Sequence, residues 1–541
     1  MNRGWRNTVL VVLSAVWIIF ITKKITTWKG HDKIPTPIPK PRVFVGTKRS
    51  NNTNLGPSII EKVEPRLREQ VTCPNKTEVV VLNRDQLYRQ GDVLEVRVTA
   101  RDVEGRRKTH GGDFFRARLI GNRSLQESSA GHVTDHGNGT YTVQFPLYWV
   151  GGVSVRIQLV HPSEAVRVLQ QVREVPNKRT FYCTFVGVKT GITEERQCFS
   201  SPYPKLPAHQ QCDFSKPDAN GTWFCERPEN LPCDSILKCR WLRTGFGNVL
   251  GLASTEEKKF FREPYLEEEL EARPSVPIRV YPPGIPSSAN LPPCPGNVSD
   301  SLTPGTQGHW SRGVWKSSIC NVRVFKTTDV QRCLANRTVY LHGDSTIRQW
   351  FERLVAILPL RNVEPNSHVV KSGTSERWNV AVHFRFHHEP LQVQMAALFS
   401  DMIYAADHLD SIQGGPNTVV VLSLWAHFTA EPLDMIRSRL HAIRHAIHRL
   451  QRRDPGTHVF IRTGTTREHK GQQLVFYLKG SDWLAYQITE VIREMFRTDP
   501  DVVVLDFWDM TVCQWGKDNV HPDQTVVDNE LNMLLSHVCP K

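Results

Sequence analysis

Thr338-Val339-Tyr340-Leu341-His342-Gly343-Asp344-Ser345 is a β-branched and aromatic run that ends in a Gly-Asp-Ser turn. Directly behind it, Ile347, Trp350, Phe351, Leu354 and Leu358 recur at helical spacing until Pro359 stops the helix. Ser345 is therefore expected at a strand-to-helix junction, where free backbone N–H groups face a developing oxyanion. The pattern continues outward. Val380–Phe384, Val419–Leu422, Val459–Ile461 and Val502–Leu505 read as further strands, and Ile436, Leu440, Ile443, Ile447 and Leu450 form one apolar helix face. This alternation predicts an α/β unit over residues 307–541, a doubly wound parallel sheet with ligands at the carboxyl ends of its strands. Asp518-Asn519-Val520-His521 follows the last strand, so it opens on the same edge as Ser345. Together the two motifs make a Ser/His/Asp acyl-transfer set, with Ser345 the nucleophile, His521 its base and Asp518 the carboxylate that holds the imidazole tautomer. The string Gly343-x-Ser345-x-Ile347 lacks the second glycine of the α/β-hydrolase elbow, so that fold is not implied.

Upstream the chain changes character twice. Between residues 71 and 175, Val79–Leu82, Val93–Val98, Ala117–Ile120, Thr140–Phe145 and Val153–Leu159 alternate or run apolar for strand lengths, separated by Gly-, Asn- and Asp-rich turns. That spacing predicts an all-β sandwich. Residues 176–306 hold seven of the twelve cysteines among many prolines, which predicts a disulfide-stapled segment without a large core of its own. All twelve cysteines lie at or beyond Cys73, and sequons begin at Asn51, Asn75, Asn122, Asn138, Asn220, Asn297 and Asn336. Both features point to an oxidising secretory compartment. No paired C-x-x-C spacing exists, so no metal site is expected of the cysteines. Cys513 and Cys539 flank the Asp518/His521 loop and are expected to be oxidised, to each other or to another cysteine.

Residues 1–30 carry an apolar run, Thr8 to Thr22, behind Arg3 and Arg6, with no small-residue cleavage triplet after Ile21. A signal anchor of type II topology, with the catalytic part in the Golgi lumen, is the first reading and a cleaved signal peptide with secretion the second. Residues 31–70 follow as a basic stem stiffened by Pro35, Pro37, Pro39 and Pro41. The net charge of +14 is concentrated here: +5 lies in residues 1–30 and +4 in residues 31–70. The +5 left for residues 71–541 is no nucleic-acid footprint.

The motifs Gly343-Asp344-Ser345 and Asp518-x-x-His521 resemble those of the SGNH esterases, and their tryptophan- and histidine-rich setting resembles the PC-esterase branch. Asp135-His136-Gly137-Asn138-Gly139-Thr140-Tyr141 is similar to the turn and strand of filamin-type immunoglobulin-like repeats. The cysteine-rich stretch after a sandwich resembles the neurexophilins. From Cys73 to Cys539 the whole resembles the neurexophilin and PC-esterase domain family. The resemblance implies an SGNH-like catalytic domain acting on O-acyl groups of glycans or glycoproteins. It includes O-acetyltransferases, which need an acetyl donor such as acetyl-CoA as co-substrate but no bound cofactor. An esterase of the same mechanism and a non-catalytic neurexophilin-like binding glycoprotein, with a neurexin-type partner, remain as alternatives. It also implies oxyanion donors: a loop glycine, for which Gly373 and Gly343 are candidates, and an Asn after a later strand, where this chain offers His427 instead. His342 is read equally as a strand-end residue and as a substrate contact. His387-His388-Glu389 is read as a strand end. Asp506 and Asp509 are read as helpers that turn the chain, and His441, His445 and His448 as part of a solvated basic helix face.

Overall fold

The structure, a computed structural model, describes residues 71–540 apart from 202–205, 242–246, 271, 274–276, 284–290, 295–307, 364–368, 392–395, 468–470 and 518. The candidate anchor and stem lie outside the described residues, as do Asn51, Asn297 and Asp518. All described residues belong to one compact unit, Glu61–Lys541. Among them no helix is long and apolar enough to cross a membrane.

Two sheets built from β1 (Glu78–Val81), β2 (Val93–Thr99), β3 (Phe114–Ile120), β4 (Thr140–Pro146) and β5 (Gly151–His161) face each other. Period-two alternation supplies the core between them: Leu94, Val96, Val98, Tyr141, Val143 and Phe145 from one sheet meet Phe115, Ala117, Leu119, Ile157 and Leu159 from the other. The sheets are completed from far along the chain. Ala272–Arg273 pairs with β1, Ile278–Tyr281 and Glu268–Leu270 pair with β5, and Gly308–Ser311 pairs with Ser128–Ala130 beside β3. These strands are two to four residues long, too short to announce a period in the sequence. Nor do the strand patterns announce α1 (Ser163–Glu174), whose Ala165, Val168, Leu169 and Val172 pack in one cluster with Tyr477, Leu478 and Leu484.

The cysteine-rich stretch supplies five strands of a six-stranded sheet, built around β6 (Phe181–Val186), β7 (Thr193–Phe199) and β8 (Ile236–Trp241). Cys183–Cys239 bridges the facing positions of β6 and β8, and Cys198–Cys225 and Cys212–Cys233 staple the other flank. Its buried Phe181, Phe185 and Trp223 join the same apolar core as the C-terminal part. Continuity goes further, because β8 pairs with Ala397–Leu398 of that part.

The C-terminal part alternates strands and helices: β9 (Thr338–Gly343), α2 (Ser345–Ile357), β10 (Val370–Ser375), β11 (Val380–Phe386), β12 (Thr418–Ser423), α3 (Leu433–Arg453), β13 (His458–Arg462), α4 (Asp482–Phe496), β14 (Val503–Leu505), α5 (Trp508–Val512) and α6 (Gln524–Val538). The sheet order is Arg361–Val363, β10, β11, β9, β12, β13, β14, parallel from β11 onward and antiparallel at the β10 edge. The parallel strands thus run second, first, third, fourth, fifth. In such sheets the strand order reverses between the first and third strands, here β9 and β12, and a crevice opens at their carboxyl ends.

One cysteine expectation is corrected. Cys539 is bridged to Cys333, but Cys513 is a free, fully buried thiol, and Cys73 is also unbridged. Cys513 caps the end of α5, where Ser128 of the sandwich donates to its carbonyl at 2.5 Å. The sandwich covers it, and burial pushes its pKa up. Denaturing alkylation without reductant is expected to label Cys73 and Cys513 and spare the other ten; label on Cys539 would contradict the pairing. Opening Cys333–Cys539, which closes a 206-residue separation, is expected to cost about 2–5 kcal/mol in a denaturant titration.

Candidate active site

The three central strands end level. Gly343 of β9 is in register with Phe386 of β11 and Ser423 of β12. Gly343 has to be glycine, since a Cβ there would lie 2.0 Å from the Ser423 carbonyl oxygen. Its own carbonyl accepts from His387 N–H at 2.9 Å. The chain then turns through Asp344, the N-cap of α2, and Ser345 becomes the first helical residue.

Asp344 is fully buried and acts as a clip. One carboxylate oxygen accepts from the Thr346 N–H (2.9 Å) and hydroxyl (2.6 Å), the other from the Ala426 N–H (2.8 Å). It therefore fastens the Ser345 turn to the loop after β12. Thr346 is the hub beneath: its hydroxyl donates to Asp344 and accepts from Trp425 Nε1 and from Arg462, both at 3.2 Å. Arg462 in turn forms a fully buried ion pair with Glu530 of α6 (2.6 Å), and Trp350 Nε1 donates to the same carboxylate at 2.6 Å. Two sequence signals mark this pair: an arginine ending the apolar strand Val459-Phe460-Ile461, and a glutamate inside the apolar face of α6.

His521 lies in the loop between α5 and α6, and its Nε2 is 2.7 Å from Ser345 Oγ. Gln349, one turn beyond Ser345, donates to the Pro522 carbonyl at 3.0 Å and holds that loop against α2. Desolvation pushes the His521 pKa below the ordinary value; the Asp344 carboxylate opposes the shift and the Arg348 guanidinium adds to it. The imidazole is thus neutral near pH 7 and competent to accept the hydroxyl proton.

The remaining sequence candidates fall elsewhere or in other roles. Gly373 sits within β10 under Leu360 and Val355, and Val355 is ten residues past Ser345, roughly 15 Å along the helix. The structure does not bring it to Ser345. His427 is buried in the loop after β12, with Nδ1 2.9 Å from His387 Nε2 and its ring stacked on Phe386. His342 is fully buried and bonded to His408 at 2.8 Å, a strand-end role. Asp506 accepts from Arg493 at 2.6 Å. His441 and His445 are exposed, whereas His448 reaches Asp499 at 3.0 Å, an acidic partner its helix pattern does not disclose. The sequon asparagines 75, 122, 138, 220 and 336 are all exposed.

The site is also backed from outside the C-terminal part. Arg179, just before β6, pairs with Glu431 at 2.8 Å, both 2% exposed, and donates to the His427 carbonyl. Glu389, buried beside Glu431, has its pKa pushed up to about 8, chiefly by burial. Buried histidines dominate this edge. Burial holds His342, His388 and His427 well below the ordinary value, and His387 and His408 at about 4. Each is neutral when folded and protonates near 6.5 when unfolded. Their contribution is intact above about pH 6.5 and is lost as pH falls toward 4, at up to about 1.4 kcal/mol per pH unit for each histidine. Urea midpoints are expected to drop steeply across that window; a flat profile would contradict the buried neutral cluster.

In class terms, fold and site define a β-rich, disulfide-stapled protein whose helix-and-sheet C-terminal part carries a serine–histidine pair at its sheet edge. Residues 315–539 match the family model described as "NXPE family member 4-like, C-terminal domain", and residues 48–251 match the model described as "Neurexophilin". The chain belongs to the neurexophilin and PC-esterase domain family. Among solved structures, a bacterial integrin-binding invasin matches with a TM-score of 0.14 at 10% identity, over 59% of this chain and 60% of that chain. A likeness that low carries no argument.

Proposed function

We propose that the protein is a lumenal serine acyl-transfer enzyme of SGNH-like design, an O-acetyltransferase of secretory-pathway glycans, sialylated ones among them. The observation that carries this reading is the 2.7 Å Ser345 Oγ–His521 Nε2 hydrogen bond at the β9/β12 switch point. In the proposed reaction His521 takes the Ser345 proton as Oγ attacks the carbonyl of an acetyl donor, such as acetyl-CoA. The N-terminal amides of α2 face the oxyanion. His521 then protonates the leaving group, which departs from the acyl-enzyme. A sugar hydroxyl next attacks the acyl-enzyme, giving its proton to His521, and the ester leaves on the glycan. Asp518, three residues before His521, is assigned to orient the imidazole. The proposed reaction needs no bound cofactor. Anchorage in Golgi membranes through residues 1–30 belongs to the same proposal.

An esterase of the same mechanism differs only in using water as second nucleophile. A binding glycoprotein with a neurexin-type partner is the reading left if the site is silent. The deciding experiment incubates purified protein with acetyl donor and desacetyl glycan, and separately with acetylated glycan, and follows acetate by mass spectrometry. Donor-dependent mass gain supports the transferase. Acetate release without any gain defeats it in favour of the esterase, and silence in both arms defeats both.

A further inference from the structure

A glycan O-acyltransferase has to keep water from taking the acyl group, and the buried histidines beside Ser345 suggest how this one does so. His387 Nδ1 lies against the His388 carbonyl oxygen, which only accepts, so Nδ1 carries the proton. In a neutral imidazole His387 Nε2 is then a bare acceptor, and the proton in its 2.9 Å bond with His427 comes from His427 Nδ1. That leaves His427 Nε2 unprotonated. This atom has no protein partner among the described residues, so in a side chain only 7% exposed its lone pair is left for a ligand to satisfy.

Its place in the site follows from stacking. Ser345 and Arg348 lie three residues apart on one face of α2. The Arg348 guanidinium sits 5.7 Å over the Phe386 ring, and that ring stacks on His427 at 5.9 Å and 12°. Both Arg348 and His521 also act electrostatically on His427 and, with burial, keep it neutral. Other charges facing it are Arg179, which holds its carbonyl, and the His387 ring.

We propose that His427 Nε2 accepts a hydrogen bond from a hydroxyl of the acceptor sugar and so seats that sugar at the Ser345 acyl-enzyme. This reading rests on the acyl-transfer proposal and reverses the oxyanion-donor role expected of His427, because a bare nitrogen has no proton to donate. In the transfer step the attacking hydroxyl proton passes to His521 and on to Ser345 Oγ as the acyl C–O bond to serine breaks and the bond to the sugar forms. His427 neither gains nor loses a proton.

Two measurements test it. Nitrogen-15 spectra of the histidine-labelled protein at pH 7 are expected to show His427, assigned by its loss in His427→Asn, as the Nδ1–H tautomer with a bare Nε2. An Nε2–H tautomer would overturn the proposal, whatever the activity. In the second, acyl-enzyme made with p-nitrophenyl acetate is partitioned between water and a sugar acceptor. His427→Asn keeps a donor toward His387 and removes Nε2, and is expected to lower the transfer-to-hydrolysis ratio about five- to ten-fold, the size of one neutral hydrogen bond. An unchanged ratio with acylation slowed 10²-fold or more, in the manner of a lost oxyanion donor, would overturn it. So would an unchanged ratio with unchanged acylation. If the unaltered protein forms no acyl-enzyme at all, the acyl-transfer reading itself fails, and this inference with it.

Discussion

Ser345→Ala is expected to lower acyl transfer by a factor on the order of 10⁴ to 10⁶, the scale seen when a nucleophile acting as one unit with its base is removed. The fold is expected to survive. Ser345 is half-buried at the first position of α2, its Oγ partner His521 is exposed, and the N-cap contacts belong to Asp344. Loss of that hydroxyl therefore costs at most about 1 kcal/mol of stability. Secretory-pathway exit and thermal midpoint should match the unaltered chain. Activity persisting in Ser345→Ala would dismiss Ser345 as nucleophile, and a chain that fails to fold would make it a structural residue. His521→Ala is expected to match the loss, and the double variant to add little.

Glu530→Ala is expected to be the most destabilising single change near the site, by about 3–5 kcal/mol. It strands the fully buried Arg462 guanidinium, which packs near the Trp350 and Phe507 rings at 5.9 and 5.6 Å, and it orphans the Trp350 N–H. Removing both charges with Arg462→Met/Glu530→Met is expected to cost less than Glu530→Ala alone, because no buried charge is then left unpaired. Denaturant titrations of the three variants decide it. A single-variant cost below about 1 kcal/mol would mean that water relaxes the pair. The consequence for function is direct: Arg462 also holds the Thr346 hydroxyl, so loosening α6 loosens the turn that presents Ser345.

The serine half of the site was legible because its signals are local. A β-branched run, a Gly-Asp-Ser turn and a 3.6-residue apolar repeat each lie within a few residues, and each matches β9, the N-cap and α2. His521 was legible only by the company it keeps, an Asp three residues before it and a strand before that. Its position against Ser345 depends on Gln349 and on the packing of α6, which no spacing reveals. Gly343 shows the difference in kind. The turn motif singles it out, but the reason it tolerates no side chain is the Ser423 carbonyl, eighty residues away.

By its sequence alone this protein set the strand periods of its sandwich, the alternation of its C-terminal part and the Ser345 and His521 motifs. These depend on side-chain periodicity and turn chemistry, which act over a few residues. Tertiary structure alone decided which cysteines meet, leaving Cys513 free and joining Cys333 to Cys539. It also brought Arg179 under the His427 loop, completed the sandwich with strands from 268–317, and placed His387 and His427 within hydrogen-bond distance. Such pairings join groups tens to hundreds of residues apart. What selects them is burial: a charge, a thiol or an imidazole taken out of water is settled by whatever partner the packed core places beside it.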